Sequence, residues 1–192
     1  MATQLSAQGE LRRRLTPARS RRLPIMIIAV IAIVATAASA TTAASSKEGM
    51  FVDAKLATTP FHNLDVAMAA GYGTFYKCTD EDGLGGMGQH FVNGPLVEDP
   101  TLDTLRPEVL VYEPKAVGYR LVAVEYVVLK EAWHKANTRA PWLFGQKLKL
   151  VKAPNRYGLP DFYELHVWLW KTNPRGVFDD WNPRVSCRGQ GD

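Results

Sequence analysis

The chain has 192 residues, with 23 Lys/Arg against 19 Asp/Glu and a formal charge of +4. The basic excess is local: six of the Lys/Arg and one of the acids precede Thr41, which leaves 17 bases against 18 acids beyond it, a net charge of −1. Nothing clusters those bases into a patch, which excludes nucleic acid as a partner.

Arg12 to Arg22 is a basic stretch, followed by the apolar run "PIMIIAVIAIVATAA" and by Ala38-Ser39-Ala40, a small-x-small pattern. This order is that of an export signal peptide, cleaved after Ala40. The apolar core from Ile25 to Ala38 is short against the roughly 20 residues of a membrane span, but counted on to Ala44 it approaches that length. An uncleaved signal-anchor, one transmembrane helix, is therefore the alternative. Either way the rest of the protein is exported, secreted or attached to the cell envelope, and touches the membrane only through this segment. Residues 1–40 thus read as signal or anchor, 41–52 as a flexible Thr/Ala/Ser spacer and 53–192 as one globular domain, with seven Phe, seven Tyr and five Trp to build its core.

The first predicted element is a helix, with Thr59 as N-cap, Pro60 at the first helical position and Gly71 or Gly73 as its stop. Phe61, Leu64, Met68 and Tyr72 would form its packing stripe. Asp53 to Thr58 extends or precedes it. "QHFVN", "EVLVYEP", "YRLVAVEYVVL", "WLFGQKLKLV" and "DFYELHVWLWK" then read as strands between Pro, Gly and Asn/Asp turns, with a short helix at "LKEAWHKA". Consecutive strands on short connections imply an antiparallel sheet, so the expected fold is α+β: an N-terminal helix packed on a curved antiparallel sheet or half-barrel.

Two cysteines, Cys78 and Cys187, lie beyond the signal. An even count in an exported chain favours one disulfide, which would pin the irregular tail "NPRGVFDDWNPRVSC"; two thiols or a metal-bound pair are the alternatives. Gly83, Gly85 and Gly88 satisfy G-x-G-x-x-G, but acidic "TDEDG" precedes and strand-like "QHFV" follows, which is the wrong context for a dinucleotide. A turn entering a strand that carries His90 is the better reading.

Period-two alternation on "FYELHVWLW" sets Phe162, Glu164, His166, Trp168 and Trp170 on one face and Tyr163, Leu165, Val167 and Leu169 on the other. The first face suits a cavity lining. Glu125 sits likewise in an apolar strand, with Leu121, Ala123 and Val127 on its side, and needs a partner there. His90, Glu125, Glu164 and His166 could converge, with His62 reaching them from the helix. Such a set suits Zn²⁺ or Cu²⁺, general acid/base chemistry, or a satisfied polar network; binding is expected rather than catalysis. A Ser or Cys triad is not expected, because Ser186 is the lone serine beyond the spacer and lacks a nucleophile-elbow context, and no cysteine is free if the disulfide forms. His134 is expected to be exposed. The rival reading is a module for a small apolar or sugar ligand gripped by Trp168, Trp170 and Tyr126, and a structural envelope protein is a third.

At "FHNLDVAMAAGY", "GGMGQHFVN", "PEVLVYEP", "LVAVEYVV", "ELHVWLW" and "NPRGVFDDWNPRVSC" the chain resembles a family of uncharacterised exported bacterial proteins common in actinobacteria. The resemblance spans Ala54 to Cys187 and includes His62, Gly88, His90, Asn93, Glu113, Glu125, His166, Trp170, Asn182 and Cys187, with Phe61 where the family mostly has Tyr. It implies export and a single domain, and brings no activity with it.

Overall fold

The residues before the first strand make three short helical pieces instead of one helix. Residues 47–58 form α1, as seen in a computed structural model that describes residues 47–189. The expected signal, its cleavage point and the anchor alternative lie outside the described residues. α1 starts within the expected spacer because Met50 and Phe51 already pack on the core, and Phe51 stacks on Phe144 with centroids 4.8 Å apart. Ala54 and Thr58 continue the buried stripe.

Pro60 cannot supply the N–H that would carry α1 onward, and Thr59–His62 tightens into a 3-10 turn. Thr59 is not an N-cap: its hydroxyl donates back to the Lys55 carbonyl at 2.9 Å. Asn63 does the capping of α2 (Leu64–Ala69), accepting from the Asp65 N–H at 2.9 Å. Phe61, Leu64 and Tyr72 face the core as expected, whereas Met68 points to solvent and Ala67 is buried in its place.

The strands are β1 (Gly73–Glu81), β2 (Gly85–Val92), β3 (Val109–Pro114), β4 (Tyr119–Leu129), β5 (Trp142–Leu143), β6 (Gln146–Lys147), β7 (Lys149–Val151) and β8 (Phe162–Val167), with short helices α3 (Gly94–Glu98) and α4 (Lys130–His134). Six of them pair antiparallel in the order β1-β2-β3-β4-β8-β7 and curl into a half-barrel, while β5 and β6 form a separate ribbon. This is an α+β fold. β1 escapes the sequence pattern because it is an edge strand whose mostly exposed residues show no apolar alternation.

The sheet separates two apolar clusters. α1 and α2 cover Phe91, Leu110, Tyr112, Val124, Tyr126 and Leu165 on one side. On the other lie Val109, Val111, Ala123, Val127, Phe162 and Trp168. Register assigns the polar residues to this second side: Glu125 pairs with His166 and with Val109, and Val127 pairs with Glu164. His90 pairs with Val111 and so shares that face.

Two departures from strict alternation matter. The β3–β4 register slips between Val111 and Tyr112, leaving Val122 as an extra residue. Leu121 therefore joins the helix-side cluster and Val122 the opposite one, the reverse of the alternation expected for this strand. After Val167 the chain turns tightly, with the Leu169 N–H donating to the Val167 carbonyl at 2.9 Å. That turn carries Trp170 to the helix side, away from Trp168.

The glycine run closes the β1–β2 hairpin and then receives the C-terminal segment. Gly86 and Asn182 exchange backbone hydrogen bonds of 3.2 and 3.1 Å. A Cβ on Gly85 would lie 2.2 Å from the Asn182 carbonyl oxygen, so only glycine admits this approach. A strand follows the run where a dinucleotide site needs a helix N-terminus. The Cys78–Cys187 disulfide, with Cα atoms 5.5 Å apart, and the Cys187 N–H on the Asp80 carboxylate at 3.0 Å fix the tail.

Candidate metal centre

Glu125 and His166 meet because they are cross-strand neighbours on β4 and β8, where facing Cβ atoms lie about 5 Å apart. His90 starts two strands away, about 10 Å by strand spacing. The curl of the sheet brings its ring over β3, so that Nε2 comes within 3.5 Å of Glu125 Oε2. The His90 and His166 rings are 6.0 Å apart at 78°. One ligand atom from each of His90, Glu125 and His166 lies within 4.8 Å of the others, and all three residues are buried.

Three imidazole nitrogens of this group have no hydrogen-bond partner: His90 Nε2, His166 Nδ1 and His166 Nε2. His90 makes a backbone hydrogen bond with Gly88 through the rest of its ring. Trp168 packs on His166 at 4.6 Å and offers it no polar atom, because its indole N–H goes to the Asp179 carbonyl at 2.6 Å. A buried unsatisfied polar group costs about 1–3 kcal/mol. His90 Nε2 has only the 3.5 Å approach to Glu125 and the two His166 nitrogens have no hydrogen bond, a sizeable cost against a domain stability of about 5–15 kcal/mol.

The electrostatics favour neutral imidazoles. Burial holds His90 down at about 4. Burial also keeps His166 well below the usual histidine range, with His90 as a second cause. Burial, and then the nearby Glu164 carboxylate, push Glu125 well above the carboxylate range. Burial raises Glu164 too, but Lys149 Nζ, which bonds its Oε1 at 2.8 Å and also reaches Asp180, favours its charged form over that of Glu125. The Glu125 carboxyl hydrogen-bonds to Glu164, which thereby holds it in place behind the histidines.

This donor set can hold a metal ion. Neutral imidazole is the ligand form of histidine, and a carboxylic acid becomes a ligand by releasing its proton to a cation. Two ligand atoms on a tetrahedral ion at 2.0–2.1 Å stand about 3.3 Å apart. The His90–Glu125 separation already matches this, and the His166 ligand atom, within 4.8 Å of the other two, has at most about 1.5 Å to close. A self-satisfied polar network accounts for Glu125, Glu164 and Lys149 but not for the orphaned nitrogens.

Of the five candidate ligands, His90, Glu125 and His166 come together and Glu164 stands directly behind. His62 does not join them. It is exposed on the 3-10 turn and packs against Trp170 at 4.3 Å, because the turn after Val167 took Trp170 to the helix side. The proposed grip of Trp168, Trp170 and Tyr126 on a ligand fails for the same reason. Tyr126 is buried in the helix-side cluster with its hydroxyl on the Thr104 carbonyl, so the three do not share a face. His134 is exposed, with its ring between the Asn137 carbonyl and the Tyr163 hydroxyl.

A cavity was expected on the face of Phe162, Glu164, His166, Trp168 and Trp170, as a polar pocket around the cluster. Of these five only Phe162 and Glu164 line the chamber that lies beside the cluster, and its wall is mainly apolar. About 280 Å³ in volume, the chamber is bounded by His90, Glu125 and Glu164 and by apolar side chains from β1, α3, β4, β8 and the loop before β8, including Phe75 and Leu159. Phe75 and Leu159 belong to an edge strand and a loop, neither of which has a period that points inward. Comparison with protein-family models, curated proteins and solved structures finds no match for the chain.

Proposed function

We propose that this protein is an exported domain that binds one transition-metal ion, Zn²⁺ or Cu²⁺, through His90, His166 and Glu125. The observation that carries the reading is the group of three buried, unpartnered imidazole nitrogens beside a carboxyl group. In this reading Glu164, tied to Lys149, orients Glu125 from behind, and the Gly88 backbone orients His90. The donors are nitrogen-rich and borderline, which suits Zn²⁺ and Cu²⁺ better than Ca²⁺ or Mg²⁺. Export is supported by the basic-apolar-small order of residues 12–40 and by the Cys78–Cys187 disulfide, a bond that persists in oxidising compartments. Among the described residues no helix is long and apolar enough to cross a membrane.

Thermal unfolding tests the binding. Zn²⁺ or Cu²⁺ added to tag-free, chelator-treated protein is expected to raise the midpoint, and the His90→Ala/His166→Ala double variant is expected to lose that rise. Equal shifts in both proteins would place any bound metal elsewhere.

A further inference from the structure

We infer that the chamber takes a small, mainly apolar molecule with one anionic head group, and that the head coordinates the metal held by His90, Glu125 and His166. This rests on the metal reading above. Three protein ligands leave a tetrahedral ion one open position, the arrangement of sites that act on or bind an exogenous group. His90 and Glu125 line the chamber and His166 does not, so an ion shared by the three lies against the chamber wall with His166 behind it. The open position then faces the chamber.

The wall chemistry selects the ligand. Phe75, Val97, Val127, Leu129, Leu159 and Phe162 supply apolar surface, with few polar groups among them, which favours a hydrocarbon chain or ring over a polar tail. Among the described residues no lysine or arginine lines the chamber. A carboxylate entering without the metal would therefore meet His90, the hydroxyl groups of Tyr76 and Tyr157, and the carboxyl groups of Glu98, Glu125 and Glu164, none of them a fixed positive charge. The metal is the one cation on offer, so head-group affinity must depend on it. A volume of about 280 Å³ is at the small end for ligand pockets and fits a short chain or a single ring better than a two-chain lipid.

Cobalt substitution tests this, because the visible spectrum of Co²⁺ reports its coordination. Octanoate is titrated into Co²⁺-loaded protein with acetate as the tail-less control. The spectrum is expected to change and saturate for both, with octanoate at least about tenfold tighter through burial of its chain. Val97→Trp, on α3 and off the sheet, and Leu159→Trp, in the loop, each narrow the chamber. Either variant is expected to keep the cobalt spectrum and the acetate response while losing the octanoate advantage. Chelated protein is expected to bind neither acid. Equal affinity for the two acids, octanoate binding that survives chelation, or an advantage untouched in both variants overturns the inference. Failure of the metal reading itself looks different: no protein-bound cobalt spectrum forms, and the inference falls with it.

Discussion

At the scale of single residues, the cluster is held ready by desolvation. Burial disfavours the charged form of both histidines and of Glu125. Gln is close in shape to a protonated Glu, so Glu125→Gln is expected to change metal-free stability at neutral pH by less than about 1 kcal/mol. The same substitution removes an ionisable ligand, and metal affinity is expected to fall by at least about 10-fold. Chemical denaturation and a metal competition titration read the two effects separately. A large loss of stability with unchanged affinity would make Glu125 a structural residue. Lys149 had no legible role in "QKLKLV", because its partners Glu164 and Asp180 come from β8 and the C-terminal segment.

Glu108, just before β3, carries a separate titration. It is buried, and its carboxylate accepts from the Val127 N–H at 3.0 Å. Desolvation raises it from 4.5 to about 8. The folded state therefore holds this proton more tightly than the unfolded chain does. Its contribution to stability is fully present below 4.5 and is lost as pH rises to about 8. Glu108→Gln keeps the acceptor for Val127 and removes the titration. The variant is expected to be more stable than the parent at alkaline pH, by up to a few kcal/mol, and to differ little in acid. Unfolding free energies measured across that window check it; parallel curves would contradict it.

Among elements, the strands that alternate cleanly were the legible ones. β8 keeps its period through Val167, so Glu164 and His166 were placed on one face from spacing alone, and pairing with β4 added Glu125. The extra residue Val122 and the turn after Val167 were not legible. Each depends on a partner distant in sequence: β3 for the bulge, and Val177, whose carbonyl takes the Trp168 N–H at 2.9 Å, for the turn. His62 was misassigned because its helical turn packs on the side of the sheet away from the cluster, where it meets Trp170. The glycine run was legible as a turn, but not as the seat of the C-terminal segment.

Gly88 tests the β2 geometry that aims His90. Its φ is +94°, and an added Cβ would lie 2.6 Å from Val111 Cγ1 and 3.0 Å from the Tyr112 carbonyl oxygen. Gly88→Ala is expected to destabilise by about 1–3 kcal/mol and to weaken metal binding by displacing the ring two residues on. Stability and affinity both equal to the parent's would show that β2 absorbs the change without moving His90.

For the molecule as a whole, the disulfide ties the first strand to the last segment across 109 residues. The chain-entropy treatment gives such a loop about 4–5 kcal/mol of stabilisation. Cys78→Ser/Cys187→Ser is expected to lower stability by several kcal/mol, read by denaturant unfolding with and without reductant. A reductant-insensitive parent with stability equal to the variant's would make the bond dispensable.

The central claim is that His90, Glu125 and His166 share one ion. Its most direct measurement is the metal content of tag-free protein by elemental analysis, after equilibration with Zn²⁺ or Cu²⁺ and removal of loosely bound ions. About one ion per chain is expected for the parent, and none for His90→Ala/His166→Ala. A parent that retains no metal, or a double variant that retains as much, would contradict the account.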